Sequence, residues 1–175
     1  MGGQLNLKRM ILTALFTALT CVATLLIQIQ TPVTQGYVNI GDCFVLLSAW
    51  ILGPIYGAFA GGVGAALADL LAGYPHYIAG TLVIKALMAV IAALLYRAFR
   101  KKSTCLGQLV GSLAAELWMV LGYFVFASLI LGKGLAAAAS IPGNLLQGAI
   151  CIVAAVALAA ALHQAKILDK VSVNG

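Results

Sequence analysis

Cys43-Phe-Val-Leu-Leu-Ser-Ala-Trp-Ile-Leu-Gly-Pro-Ile-Tyr-Gly-Ala-Phe-Ala-Gly-Gly-Val-Gly-Ala-Ala-Leu-Ala68 runs for 26 residues without a charge. How this stretch is cut decides the fold. As one helix it would be about 39 Å long against a hydrocarbon core of about 30 Å, and Gly53-Pro54 interrupts it near its middle. It is therefore either a single kinked span or two spans joined by a tight turn. Four further apolar stretches, residues 10–29, 78–96, 103–131 and 135–164, are easily bounded. The choice is thus between five spans and six.

The distribution of positive charge chooses six. With five spans, Arg97, Arg100, Lys101, Lys102, Lys166 and Lys170 all fall on the side opposite Lys8 and Arg9. With six, both termini are cytoplasmic, eight of the ten cations lie inside, Lys133 alone lies outside and Lys85 is within the membrane. Cytoplasmic loops carry the excess of Lys and Arg, which favours the second arrangement. The predicted fold is an all-α integral membrane protein of six transmembrane helices in a single unit, residues 1–175. The helices are expected at about 7–29, 40–53, 55–72, 78–99, 104–131 and 139–165, with outer loops at 30–39, 73–77 and 132–138.

Composition agrees. The 175 residues are 63% hydrophobic and only 8% charged, with a mean hydropathy of +1.10. A soluble domain carries roughly 25% charge, so this chain could not cover a core of its own with polar surface. The net charge of +6 does not point to nucleic acid, because the cations punctuate apolar runs and do not share a solvated face. Gly57 to Gly64 is glycine-rich but is followed by Ala65 and Ala66, so no phosphate loop is present. Energy for any uphill work must come from a partner or an ion gradient, and no cofactor is expected. Cys21, Cys43, Cys105 and Cys151 have no C-x-x-C spacing, which indicates neither a zinc site nor a disulfide framework; they are expected as small buried helix residues.

Lipid gives no hydrophobic drive for helices to associate, so small residues must let backbones approach. Gly53, Gly57, Gly61 and Ala65 recur at steps of four, and Gly107, Gly111 and Ala115 repeat the device. Both stripes are expected to be packing faces.

Apart from Asp169 in the tail, every acid, namely Asp42, Asp69 and Glu116, falls in or at the edge of a predicted span. Intramembrane charges are costly and mark function by default. Asp42, Asp69 and Lys85 fall in the outer half and Glu116 near mid-membrane. Asn144 and Gln147 share one face of the last helix, and Cys151 continues it. This shared depth predicts one polar cavity opening outward. Tyr37 and Asn39 in the first outer loop, and Tyr74, His76 and Tyr77 in the second, would cover it with rings that carry polar tips. Such a site suits a small, flat, hydrogen-bonding solute, although an interfacial aromatic belt would also place tyrosines there. The competing reading of the charges is a neutralising network, Lys85 with Asp69 or Asp42, that fixes helix register. Glu116 is then either protonated or met by a ligand or polar neighbour, because one embedded cation cannot serve three acids.

Several segments together resemble the substrate-binding S components of energy-coupling factor (ECF) vitamin transporters. They are Gly36-Tyr-Val-Asn-Ile-Gly-Asp42, Leu52-Gly-Pro-Ile-Tyr-Gly57, Ala68-Asp-Leu-Leu-Ala-Gly-Tyr74, Ile84-Lys-Ala-Leu-Met88, Glu116 through Gly122-Tyr123-Phe124, and Ile141-Pro-Gly-Asn-Leu-Leu-Gln147. Ala14-Leu-Phe-Thr-Ala18 is similar to the A-x-x-x-A element by which S components dock on their scaffold subunit. The resemblance implies a binding subunit without catalytic activity that captures a vitamin from outside. It would work with a membrane scaffold and two cytoplasmic ATPases and topple in the cell membrane to deliver its load. It adds Tyr123 to the candidate site, and the branch it looks closest to handles vitamin B6 (pyridoxine) or hydroxymethylpyrimidine. Riboflavin, pantothenate and other micronutrients remain open. Two other classes remain beside it: a proton-coupled carrier using Asp69, Lys85 and Glu116 as a relay, and an intramembrane enzyme, for which no G-x-S-x-G, H-E-x-x-H or aspartate-rich diphosphate motif is found.

Overall fold

The structure, a computed structural model, describes residues 2–31 and 36–166. Lys170, counted above in the charge balance, and Asp169 of the tail lie outside the described residues. Six α-helices are present among the described residues: α1 (Gly2–Leu26), α2 (Asp42–Leu52), α3 (Pro54–Leu71), α4 (Ile78–Phe99), α5 (Thr104–Val125) and α6 (Ile141–Gln164). Five of the helical stretches are long and apolar enough to cross a membrane, and α2 is not.

The long uncharged stretch is indeed cut at Gly53-Pro54. Gly53 takes φ 84°, a left-handed conformation open to glycine, and Pro54 starts α3 at a position where its missing N–H costs nothing. The antiparallel pair so formed closes at very short range: a Cβ on Gly57 would lie 2.9 Å from the Ala49 Cα, and one on Gly61 would lie 2.8 Å from Val45. Other glycines of α3 serve other neighbours, Gly64 meeting Thr17 and Thr20 of α1 and Gly62 meeting Leu82 and Ala86 of α4. The central helix is thus packed on three sides through glycine. Gly107 and Gly111 of α5 lie equally close to Tyr96 and Ala92 of α4, so both small-residue stripes are packing faces.

Three expectations about the loops need correction. Helix α1 ends at Leu26, not at residue 29, and the expected first loop contains an antiparallel hairpin of β1 (Gln28–Thr31) and β2 (Gly36–Asn39), with Gln28 opposite Asn39. The expected third loop contains a 3-10 helix, Gly134–Ser140, and α5 gives way to a π-helical turn, Phe126–Ile130. Helix α2, expected to start at residue 40 and span the membrane, has 11 residues. At about 1.5 Å per residue it is roughly 16 Å long, half of a hydrocarbon core. The hairpin precedes α2 directly, with only Ile40 and Gly41 between β2 and the helix.

Packing around α2 forms the core. Val45, Leu46 and Leu47 of α2, Met88 of α4, Met119 of α5 and Cys151 of α6 are each no more than 1% exposed. The outward faces are apolar instead, with Leu15, Ile55, Phe59, Leu117, Leu121 and Val153 all exposed, as expected where the surroundings are lipid. Cys21, Cys43 and Cys151 are buried, whereas Cys105 is exposed, contrary to expectation.

Candidate ligand-binding site

Two polar layers lie under the hairpin. The lower is built on Asp42, the first residue of the short helix. Its Oδ1 pairs with Lys85 Nζ of α4, and its Oδ2 accepts from Gln147 Nε2 of α6 at 2.5 Å. Gln147 Oε1 in turn accepts from the Asn39 backbone N–H at 2.6 Å. Lys85 lies seven residues into α4 and Gln147 six into α6, so both are about 10 Å beneath the hairpin end of their helices. Asp42 sits at the same level because α2 begins there. Of the two acids weighed as partners for Lys85, Asp42 is the one it meets. Lys85 Nζ also stands 5.3 Å from the centre of the Tyr123 ring. Four elements, β2, α2, α4 and α6, are tied together through the buried side chains of Asp42, Lys85 and Gln147.

The upper layer is aromatic. Tyr37 of β2 donates from its hydroxyl to Asp69 Oδ1 at 2.6 Å, near the end of α3. Its ring lies 5.0 Å from that of Tyr74, and Tyr74, His76, Tyr77 and Tyr123 continue the series at centroid spacings of 6.1, 4.9 and 6.3 Å. Tyr77 also packs against Phe126 in the π-helical turn. Lys133 reaches Tyr77 from the third loop, Nζ to hydroxyl, at 3.5 Å. Burial, then the Asp69 carboxylate beside it, raises the Tyr37 phenol well above its ordinary value, so it remains a donor. Burial followed by Asp69 raises Tyr77 likewise, and burial lowers the Lys133 ammonium.

Between the layers is a cavity of about 50 Å³. Of the residues expected at a site, Tyr37, Asn39, Asp69, Tyr77, Lys85, Tyr123, Asn144 and Gln147 line it. Tyr74 and His76 stand above, in the aromatic series, with His76 exposed. Asp42 lies behind Lys85 and Gln147 and is 1% exposed. Glu116 is deeper still, about two and a half turns below Val125, where it packs against Gly148 of α6, and neither carboxyl oxygen has a hydrogen-bond partner among the described residues. No hydrogen bond therefore joins Glu116 to Lys85, as a direct relay between them would need.

Thr24, Ala65, Thr81, Ala127 and Ser140 also line the cavity, and sequence reasoning did not single them out for it. Thr81 carried a signal, since it precedes Lys85 by four residues on one helix face and accepts from the Tyr123 hydroxyl at 3.1 Å. Thr24 ends a threonine series, Thr13, Thr17, Thr20 and Thr24, that turns the inner face of α1 toward the bundle; all but Thr17 are buried. Ala14 and Ala18 lie on the opposite, exposed face of α1.

Comparison with known proteins places this geometry in context. Residues 4–164 match the family described as ECF-type riboflavin transporter, S component. The chain is 28% identical over 165 residues to the thiamine precursor transporter HmpT of Lactococcus lactis subsp. cremoris (strain MG1363), covering 94% of this chain and 93% of that one. It is 44% identical over 114 residues to an uncharacterized protein in a gap 3' region of Pyrococcus woesei, covering 65% and 74% respectively. A solved structure of the S component of a bacterial ECF transporter superposes with a TM-score of 0.70 at 23% identity, covering 91% of this chain and 97% of that chain, and so has the same fold.

Proposed function

Because the chain belongs to the ECF-type riboflavin transporter S component family, we propose that it is the subunit that captures a single-ring vitamin or vitamin precursor for import. Hydroxymethylpyrimidine and vitamin B6 are the candidate substrates. The observation that carries this reading is the cavity between the two polar layers, reached by side chains from the hairpin and from α1, α3, α4, α5 and α6. Its room is small. At roughly 10–15 Å³ per water centre and about 30 Å³ of liquid per water, the water it holds corresponds to about 100–150 Å³ of ligand. That is the size of one substituted six-membered ring, and a larger ligand would have to extend out through the opening of the cavity. Similarity to a thiamine precursor transporter favours the pyrimidine of the two candidates.

The cavity residues bind and orient, and the chain has no phosphate loop with which to spend ATP. Transport on this reading needs a membrane scaffold subunit and two ATPases, with Ala14 and Ala18 on the exposed face of α1 as the contact to the scaffold. The protein sits in the cell membrane with both termini cytoplasmic and the hairpin outside, the orientation that keeps Arg97, Arg100, Lys101 and Lys102 inside. Asp42, Lys85 and Gln147 act as the floor of the site. Calorimetric titration of the purified full chain in lipid nanodiscs with hydroxymethylpyrimidine, pyridoxine and riboflavin tests the reading. One-to-one binding of a single-ring compound at least about tenfold tighter than riboflavin is expected. Preference for riboflavin would overturn the assignment of substrate.

A further inference from the structure

The wall of the cavity beside α3 is built of acceptors. Asp69 is 5% exposed, its Oδ1 is taken by the Tyr37 hydroxyl, and its Oδ2, with the Thr81 hydroxyl beside the carboxyl, makes no hydrogen bond of ordinary length among the described residues while the side chain lines the cavity. Tyr37 has spent its only proton on Asp69, so toward the cavity its oxygen can only accept. Tyr123 has done the same with Thr81. The embedded cation makes its ion pair with Asp42 and no hydrogen bond to Asp69. The position is also costly for an acid. Asp69 lies two residues from the end of α3, where the helix presents its own negative pole, so nothing in the helix favours a carboxylate there. Buried polar groups are ordinarily paired, and an unpaired one that faces a cavity is explained by what the cavity receives.

We infer that Asp69 Oδ2 and the Tyr37 oxygen form an acceptor pair that reads an exocyclic amino group on a heteroaromatic ring, which makes them the specificity-determining residues of this site. An amino group has two N–H donors, one for each acceptor, and the hydrogen bond to the carboxylate is charge-assisted. A ring bearing an oxo group at that position would face the pair with lone pairs instead, and a buried acceptor would lose its partner. This inference rests on the reading of the chain as a vitamin-binding S component and names the chemical class it selects, aminopyrimidines above oxopyrimidines and above pyridoxine.

The test is calorimetric titration of the full chain in nanodiscs with 4-amino-5-hydroxymethyl-2-methylpyrimidine, with its 4-oxo analogue and with pyridoxine, for wild type, Asp69→Asn, Asp69→Ala and Tyr37→Phe. Wild type should prefer the amino compound to the oxo analogue by at least about tenfold, the cost of one misplaced buried hydrogen bond. Asp69→Asn, which can turn a donor toward the ligand, should reduce that preference to about threefold or less, and Tyr37→Phe should reduce it in the same direction. Equal binding of amino and oxo compounds by wild type, or an unchanged preference in folded Asp69→Asn and Tyr37→Phe, would overturn the inference and leave the S component reading standing. Should the Asp69 variants lose helicity, the wild-type preference and Tyr37→Phe decide. Absence of binding to any of the three and to riboflavin would overturn the underlying reading instead.

Discussion

Replacing Lys85 with Met would leave Asp42 with its charge and without its counter-ion. Asp42 and Lys85 are 1% and 2% exposed, and Asp42 lies behind the cavity wall, so little solvent could take the place of the lost cation. Gln147 would still donate to Asp42 Oδ2 at 2.5 Å, but a neutral amide cannot balance a carboxylate. Removing one member of a buried ion pair costs about 3–5 kcal/mol, whereas replacing both by apolar or neutral groups of similar volume is often close to neutral. At about 2–4 °C per kcal/mol for a chain of this size, Lys85→Met should lower the Tm by roughly 6–20 °C. The double variant Asp42→Asn with Lys85→Met should recover most of that loss. Thermal unfolding in detergent, followed by circular dichroism, gives the comparison, and the double-mutant cycle isolates the coupling. A Tm unchanged in Lys85→Met, or a double variant no more stable than the single, would refute the view that this pair holds α2 and α4 in register.

Bulky substitution at Ala14 or Ala18, for example Ala14→Trp, should abolish uptake by the assembled transporter while the purified chain keeps its ligand affinity; loss of affinity as well would show that the face packs internally. Gly57→Val would push side-chain atoms into the Ala49 backbone, 2.9 Å from where the Cβ would lie, and should prevent accumulation of folded protein, as measured by size-exclusion profiles. Alkaline titration monitored at the tyrosinate absorbance should find Tyr37 resistant above pH 10, because its folded pKa is raised. The stability this contributes is complete below the unfolded value near pH 10 and is lost as pH rises toward the folded value, so Tyr37→Phe should flatten the alkaline fall in Tm.

The parts of this architecture that depend on local chemistry were legible in the sequence. Gly53-Pro54 announces a turn because φ is positive at one residue and fixed at the next, and the glycine steps on either side announce close packing. Asn144 and Gln147 share a face through helical spacing alone, and both reach the cavity. The hairpin was not legible. Its strands have four residues each, too few for an alternating pattern to stand out, and β1 follows an apolar helix with a single residue between. One of its anchors is non-local, the Asn39 N–H bonding to a side chain 108 residues away. The shortness of α2 was legible only in part: the turn at Gly53-Pro54 sets its end, but an uncharged run that begins at Cys43 does not show that the helix starts there and not in the preceding loop. The threonines of α1 escaped notice because they read as ordinary helix residues; Thr13 and Thr17 bond back to the carbonyls four residues earlier.

Native mass spectrometry of the complex, purified in mild detergent from the organism that makes it, tests the central claim most directly. The account predicts one single-ring heterocycle of vitamin size bound to this chain, together with co-purifying masses for one scaffold subunit and two ATPase subunits. A chain that carries no small molecule, comes away without partners and nevertheless moves solute alone in proteoliposomes would contradict it.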